Sequence, residues 1–193
     1  FNISAMSYGA LSGPAISALS QGAYQSGIWL NTGEGGLSPF HRQAPCDLIF
    51  QIGTAKYGVR DEQGRLDASK LTELAAIPEI KMFEIKLSQG AKPGKGGILP
   101  GEKVTEVIAS TRGIPAGQDS ISPNRHPEVT SVESLLDLIK TVRDVSQKPT
   151  GIKFVLGQTQ WLDDFCATIH TRGIDSAPDF ITLDSADGGT GAA

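Results

Sequence analysis

A chain of 193 residues is long enough for one domain with a sizeable core, and 39% apolar with 20% charged residues is the balance of an ordinary globular protein, not a disordered or fibrous one. A formal net charge of −4 argues against nucleic acid or an anionic membrane as the main partner, while leaving room for a local basic pocket around a small anion. No apolar run approaches membrane-spanning length and no signal-peptide pattern opens the chain, so the expectation is a cytoplasmic protein without membrane contact. The chain starts on Phe1 instead of Met and stops inside a glycine-rich motif at 187–193, which predicts a fragment of a longer protein, with any targeting information outside it.

Residues 1–6 read as a short strand, followed by Ser7-Tyr8-Gly9. Ser12-Gly-Pro14 is a helix start, Ser as N-cap and Pro in the first turn, with Ile16, Leu19 and Ala23 on one face and Gly27 as the stop. Residues 28–30 are a second strand, trailed by the loop Asn31-Thr32-Gly33-Glu34-Gly35-Gly36, and residues 37–44 lack periodicity. A third strand covers 48–52, and Asp67 caps a short helix carrying Leu71 and Leu74 that must end near Pro78. Met82-Phe83-Glu84-Ile85 is a fourth, buried strand. The stretch 90–117 is rich in Gly and Pro, with one short helix near 104–110; so long a connection in a compact enzyme is usually functional. Thr130-Ser-Val-Glu133 is a capping-box pattern ahead of Leu135, Leu136, Ile139, Val142 and Val145 at helical spacing. Residues 151–156 form the next strand. Trp161, Phe165 and Ile169 share one face of a helix that Gly173 closes, with Cys166 expected as a small core residue, and 180–183 is the last strand.

Strands and helices alternate throughout, the pattern of a parallel α/β architecture. Polar, glycine-bearing loops follow nearly every strand, which spreads a site around a ring and favours a (β/α)8 TIM barrel over an open sheet with one crossover site. The chain supplies about six of the strands such a barrel needs, so residues 1–193 are expected to be one partial barrel domain lacking its C-terminal strands.

Several chemistries are unsupported. There is no G-x-G-x-x-G after a strand, the glycines at 90–97 have the wrong spacing for a P-loop, and no G-x-S-x-G elbow is present. Cys46 and Cys166 are far apart, and His41, His126 and His170 have no metal-ligand spacing, so no metal site is expected. Asp163 and Asp164 fall within an amphipathic helix pattern and read as its solvated face.

What remains is Lys86-Leu-Ser-Gln89-Gly-Ala-Lys92-Pro-Gly94-Lys95-Gly96-Gly97. Three side chains able to bind an anion, Lys86, Gln89 and Lys92, leave the end of a buried strand together, and glycines beyond them let backbone approach a ligand. Their odd spacing would alternate faces in a regular strand, so the chain must turn near Gly90 for them to converge.

With Ala5-Met-Ser7-Tyr8-Gly9, Asn31-Thr-Gly-Glu34-Gly-Gly and Asp187-Gly-Gly-Thr190-Gly, this makes four loops whose order resembles the FMN-binding synthase domain of glutamate synthase. The resemblance implies a (β/α)8 barrel with FMN over the C-terminal strand ends. It implies reduction of 2-iminoglutarate, made from 2-oxoglutarate and ammonia, to L-glutamate, with electrons from an unidentified donor. By the same resemblance Met6, Ser7, Gln51 and Lys153 contact FMN, while Lys56, Lys86, Gln89 and Lys92 face 2-oxoglutarate. Glu34 and Lys92 are the expected catalytic residues, Glu34 near where ammonia enters. The family's iron–sulfur cysteines would lie beyond residue 193. Two departures stand out: Lys56 where the family has arginine, which loses bidentate carboxylate recognition, and Ala186 where it has histidine. Lys56 in place of arginine keeps open a different FMN barrel oxidoreductase acting on another oxo or hydroxy acid. A non-catalytic segment that binds a small anion is the third alternative.

Overall fold

The computed structural model describes residues 1–91 and 96–185. Lys92, Lys95 and the motif at 187–191 lie outside these residues. In chain order the elements are β1 (Asn2–Ile3), α1 (Gly13–Ser26), β2 (Trp29–Asn31), β3 (Leu48–Ile52), α2 (Ala68–Ala75), β4 (Ile80–Lys86), β5 (Ile98–Leu99), α3 (Glu106–Arg112), β6 (Ser120–Ile121), α4 (Val132–Ser146), β7 (Thr150–Val155), α5 (Thr159–Arg172) and β8 (Ile181–Asp184). The main sheet has six strands in the order β1-β2-β3-β4-β7-β8, every neighbouring pair parallel. These are the six strands read from the sequence, in the same sequential order, and the curled sheet is a partial TIM barrel.

Register explains the two faces. Phe50 pairs with Phe83, and Ile52 with Ile85, which pairs with Ile152. This apolar row is fully buried and packs against the helices through Leu71, Leu135, Ile139, Val142 and Phe165. The alternate residues, Gln51, Glu84 and Gly151, are also register partners and point to the concave side. Glu84 on β4 accepts hydrogen bonds from Asn31 on β2 and Thr182 on β8, each two strands away. Two strand spacings are roughly 10 Å, so short side chains meet there only because the sheet curls.

Helix ends follow the local chemistry. Ser12 caps α1 by accepting from the Ala15 N–H, and Gly27 closes it in the left-handed region at φ 62°. Asp67 caps α2 by accepting from Ser69 and Lys70 N–H. The capping box of α4 sits one residue later than the sequence pattern: Ser131 is the N-cap, and Ser134 rather than Glu133 closes the box. Trp161 stacks on Phe165 at 5.2 Å and meets Phe154 edge-on at 4.8 Å. Cys166, expected in the core, is exposed, because Phe165 takes the inward position and the next residue lies about 100° around the helix. The antiparallel β5–β6 ribbon within and beyond the Gly/Pro-rich stretch was not foreseen. Two residues per strand leave no periodicity to detect.

The shifted cap has a measurable consequence. Ser131→Ala should lower unfolding stability by about 1 kcal/mol, and Thr130→Ala should stay within about 0.5 kcal/mol of the parent, read from urea midpoints. Equal losses at the two positions would contradict the assignment.

Candidate active site

Inside the curl lies a layer of polar side chains. The buried Glu84 carboxylate accepts from Asn31 Nδ2 at 2.8 Å and Gln51 Nε2 at 2.7 Å through Oε1, and from Thr182 Oγ1 at 2.6 Å through Oε2. Asn31 turns its Oδ1 to the Gly33 N–H at 3.0 Å, and Thr32 Oγ1 accepts from the Gln51 N–H at 3.1 Å. One atom of this layer lacks a partner: Gln51 Oε1 is buried and receives no hydrogen bond.

Toward the strand ends the next layer is cationic. Lys86 and Lys153 are register partners on β4 and β7. Lys86 Nζ lies 3.0 Å from Glu34 Oε1 and donates to Gln89 Oε1 at 2.8 Å. Lys153 Nζ is held more loosely, 3.7 Å from Asp184 Oδ1. Asp184 Oδ2 accepts from the Gly90 N–H at 3.0 Å, and Ser88 Oγ accepts from the Val155 N–H at 3.0 Å, so the turn after β4 is tied to β7 and β8. That turn is what brings Gln89 back beside Lys86, as the odd spacing requires. Three of the residues singled out in the sequence, Glu34, Lys86 and Gln89, therefore form one cluster, and Lys92 lies outside the described residues.

Lys56 is placed differently. It is buried with φ at 53°, and its ammonium is turned onto Glu128, 3.0 Å from Oε1 and 3.1 Å from Oε2. Met6 and Ser7 sit on the loop after β1, which is held from two sides. Met6 N–H donates to the Asn31 carbonyl at 3.2 Å, and the Met6 carbonyl lies 2.8 Å from His41 Nε2. A Cβ at Gly33, which has φ 67°, would lie 2.6 Å from the Ser7 nitrogen, so the Gly-Glu-Gly loop can press on Ser7 only as glycine.

Sequence reasoning missed Arg112. It ends α3, and as a basic residue before Gly113 it reads as a solvated helix terminus. In the structure it is buried, donates to Ser120 Oγ at 2.8 Å and to the Tyr8 carbonyl at 3.4 Å, and lies 4.9 Å from the Tyr57 ring centroid. Its Nε has no partner. Burial pulls the guanidinium below its ordinary pKa, opposed by Tyr57 and Glu34. Ser7, Glu34, Tyr57, Gln89, Lys103 and Arg112 line one cleft of about 260 Å³. The signal available in the sequence was the location of Arg112 inside the long 90–117 stretch. A larger cavity of about 480 Å³ lies between Leu87, Val132, Leu135, Phe154 and Trp161, but its walls are mainly apolar and the charged cluster lies elsewhere.

Two histidines brace these loops. Met6 O can only accept and Ser38 N–H can only donate, so His41 carries its proton on Nε2 and presents Nδ1 to Ser38, whose Oγ is 2.8 Å away. His126 Nε2 lies 2.9 Å from the Lys86 carbonyl, at the end of β4. Among the described residues no cluster of three His, Cys, Asp or Glu side chains could hold a metal, and no helix is long and apolar enough to cross a membrane.

Comparison with known proteins gives the family. The family model for the conserved region in glutamate synthase matches residues 1–193. The chain belongs to the glutamate synthase family. It is 44% identical over 190 residues to the glutamate synthase large subunit-like protein YerD of Bacillus subtilis, covering 98% of this chain and 36% of that protein. It is 39% identical over 191 residues to the archaeal-type glutamate synthase [NADPH] of Thermotoga sp. strain RQ2, covering 98% and 34%. It is 38% identical over 192 residues to the archaeal glutamate synthase [NADPH] of Archaeoglobus fulgidus, again covering 98% and 34%. The chain thus spans about a third of the length of these relatives.

Burial holds His41 and His126 below the ordinary imidazole value of 6.5. Below that value the unfolded chain binds protons that the folded chain does not, so stability is full above it and is lost as pH falls toward the depressed folded values. The urea midpoint should therefore drop between about pH 7.5 and about pH 5.5, and less steeply in a His41→Gln variant. A slope unchanged by that substitution would remove His41 from the explanation.

Proposed function

We propose that this chain carries the FMN and 2-oxoglutarate sites of a glutamate-forming oxidoreductase. The observation that carries the reading is the two-layer interior. A cationic layer of Lys86, Lys153 and Arg112 around Glu34 and Gln89 lies above a buried amide oxygen with nothing to accept from. The residues present fit a flavin mononucleotide. Gln51 Oε1 offers an acceptor for a ring N–H, Lys153 is weakly engaged by Asp184, and the glycines at 33 and 35 let the loop bearing Glu34 close on Ser7. When bound, the flavin would supply the hydride for reduction of 2-iminoglutarate.

The protein's own groups then have separable tasks. Arg112 offers a planar fork for one substrate carboxylate, and Lys86 a point charge for the other. Gln89 can donate to the oxo or imino group, since its amide both donates and accepts. Substrate arrival draws Lys86 from Glu34, leaving that carboxylate to take a proton from ammonium beside the imine-forming carbon. Lys153 offsets the negative charge that gathers on a reduced flavin. Lys56, neutralised by Glu128, anchors the 122–128 segment over the site. The electron donor, the ammonia source and Lys92 belong to this proposal without a described place in the structure.

Two experiments on the full-length protein test it. With a reduced viologen as electron source, 2-oxoglutarate plus ammonium should yield L-glutamate, whereas turnover on glycolate or lactate in its place would favour the other FMN barrel chemistry. Lys153→Met should raise the FMN dissociation constant roughly ten- to a hundredfold, the value of one charge-assisted contact, and lower the flavin potential. A folded variant with unchanged affinity and potential would count against Lys153 beside the ring.

A further inference from the structure

We infer that Glu84 is a positioning residue: its carboxylate locks the Gln51 amide so that the carbonyl oxygen alone faces the cofactor, making the site selective for a ligand edge that presents an N–H donor. The inference rests on the FMN reading given above.

The argument is one of hydrogen-bond valence. Glu84 is 2% exposed, and every neighbour that reaches it donates: Asn31 Nδ2, Gln51 Nε2 and Thr182 Oγ1. An ionised carboxylate can only accept. The Gln51 atom 2.7 Å from it must therefore be the NH2 group, which leaves Oε1 on the opposite side. The side chain cannot leave the concave face, because Gln51 sits mid-sheet between β2 and β4 with its N–H held by Thr32 Oγ1 at 3.1 Å, so only rotation of the amide itself could exchange its two ends. Gln51 is 1% exposed, so the unpartnered Oε1 is an acceptor stripped of water and waiting for a donor.

The same carboxylate orders a second amide. Asn31 gives its Nδ2 to Glu84, so its Oδ1 is free to receive the Gly33 N–H and fix the loop that carries Glu34. One buried charge thus sets the polarity of the cofactor edge and the position of the proposed proton acceptor. The pyrimidine end of an isoalloxazine has an imide N3–H between two carbonyls, the group that meets a lone amide oxygen. A ring methylated at N3 cannot.

The test compares FMN with N3-methyl-FMN on the full-length apoprotein, by quenching of flavin fluorescence. The parent should bind FMN at least roughly tenfold more tightly than the methylated ring, the value of one buried hydrogen bond. In Glu84→Gln, whose amide can also donate, Gln51 is free to flip, and the ratio should shrink to within about threefold. Gln51→Leu, which has no acceptor, should shrink it likewise. If Glu84→Gln keeps the parent ratio while Gln51→Leu loses it, Glu84 does not set the amide and the inference is overturned, with the FMN reading intact. A parent that binds both rings equally overturns it without recourse to any variant. A full-length protein that binds neither ring fails the FMN reading itself and takes the inference with it.

Discussion

A carboxylate buried inside a sheet is the constraint on which the rest of this structure depends. Glu84 draws donors from β2, β3 and β8 to a single point on β4. Removing an ion from water costs several kcal/mol, and only a full set of donors in good geometry compensates. The three hydrogen bonds, all between 2.6 and 2.8 Å, supply that set, and they exist only if the sheet curls. The charge and the curvature are therefore mutually dependent: a flat sheet would strand the carboxylate, and an apolar residue at 84 would leave two amides and a hydroxyl competing for partners. Behind it, the paired rows of Phe50 with Phe83 and of Ile52, Ile85 and Ile152 bury against the helices and make the layer rigid.

Above that layer the loops are held by fixed partners. His41 grips the Met6 carbonyl, His126 the Lys86 carbonyl, and Asp184 the Gly90 N–H. Each bond joins a loop to an element distant in sequence, so groups at 7, 34, 89 and 112 reach one cleft although no two of them share an element. This is the way a barrel gathers chemistry from the ends of different strands. On the cleft wall Glu34 is paired with Lys86, and away from it Lys56 is paired with Glu128. Arg112 lacks a carboxylate partner: it is held by Ser120 Oγ and the Tyr8 carbonyl, with its buried Nε unpaired.

Much of the framework was legible in the sequence because it rests on short-range patterns. The strand at 48–52, the Asp67 and Ser12 caps and the Gly27 stop all follow from residues within one or two turns. The turn near Gly90 that returns Gln89 to Lys86 was legible too, from the odd spacing of the two residues. What stayed hidden depends on long-range burial. Arg112 looks like a surface residue until β6 and Tyr57 fold over it. Cys166 sits one position past an inward aromatic, and a helix of mixed residues does not reveal which neighbour takes the core. Lys56 was expected beside the substrate on the strength of a motif, but Glu128, 72 positions later, sets where its ammonium points. Glu84 was read as part of a buried apolar strand, and nothing nearby in sequence announces that Asn31 and Thr182 will converge on it.

The measurement that bears most directly on this account is a crystal structure of the full-length protein with its flavin bound. The expected result is an isoalloxazine over the concave face of the sheet, its imide edge within hydrogen-bond distance of Gln51 Oε1 and Lys153 Nζ alongside, with Glu84 still holding the far side of the amide. A flavin seated in the apolar cavity between Leu87 and Trp161, or a Gln51 oxygen that still meets no donor, would contradict it.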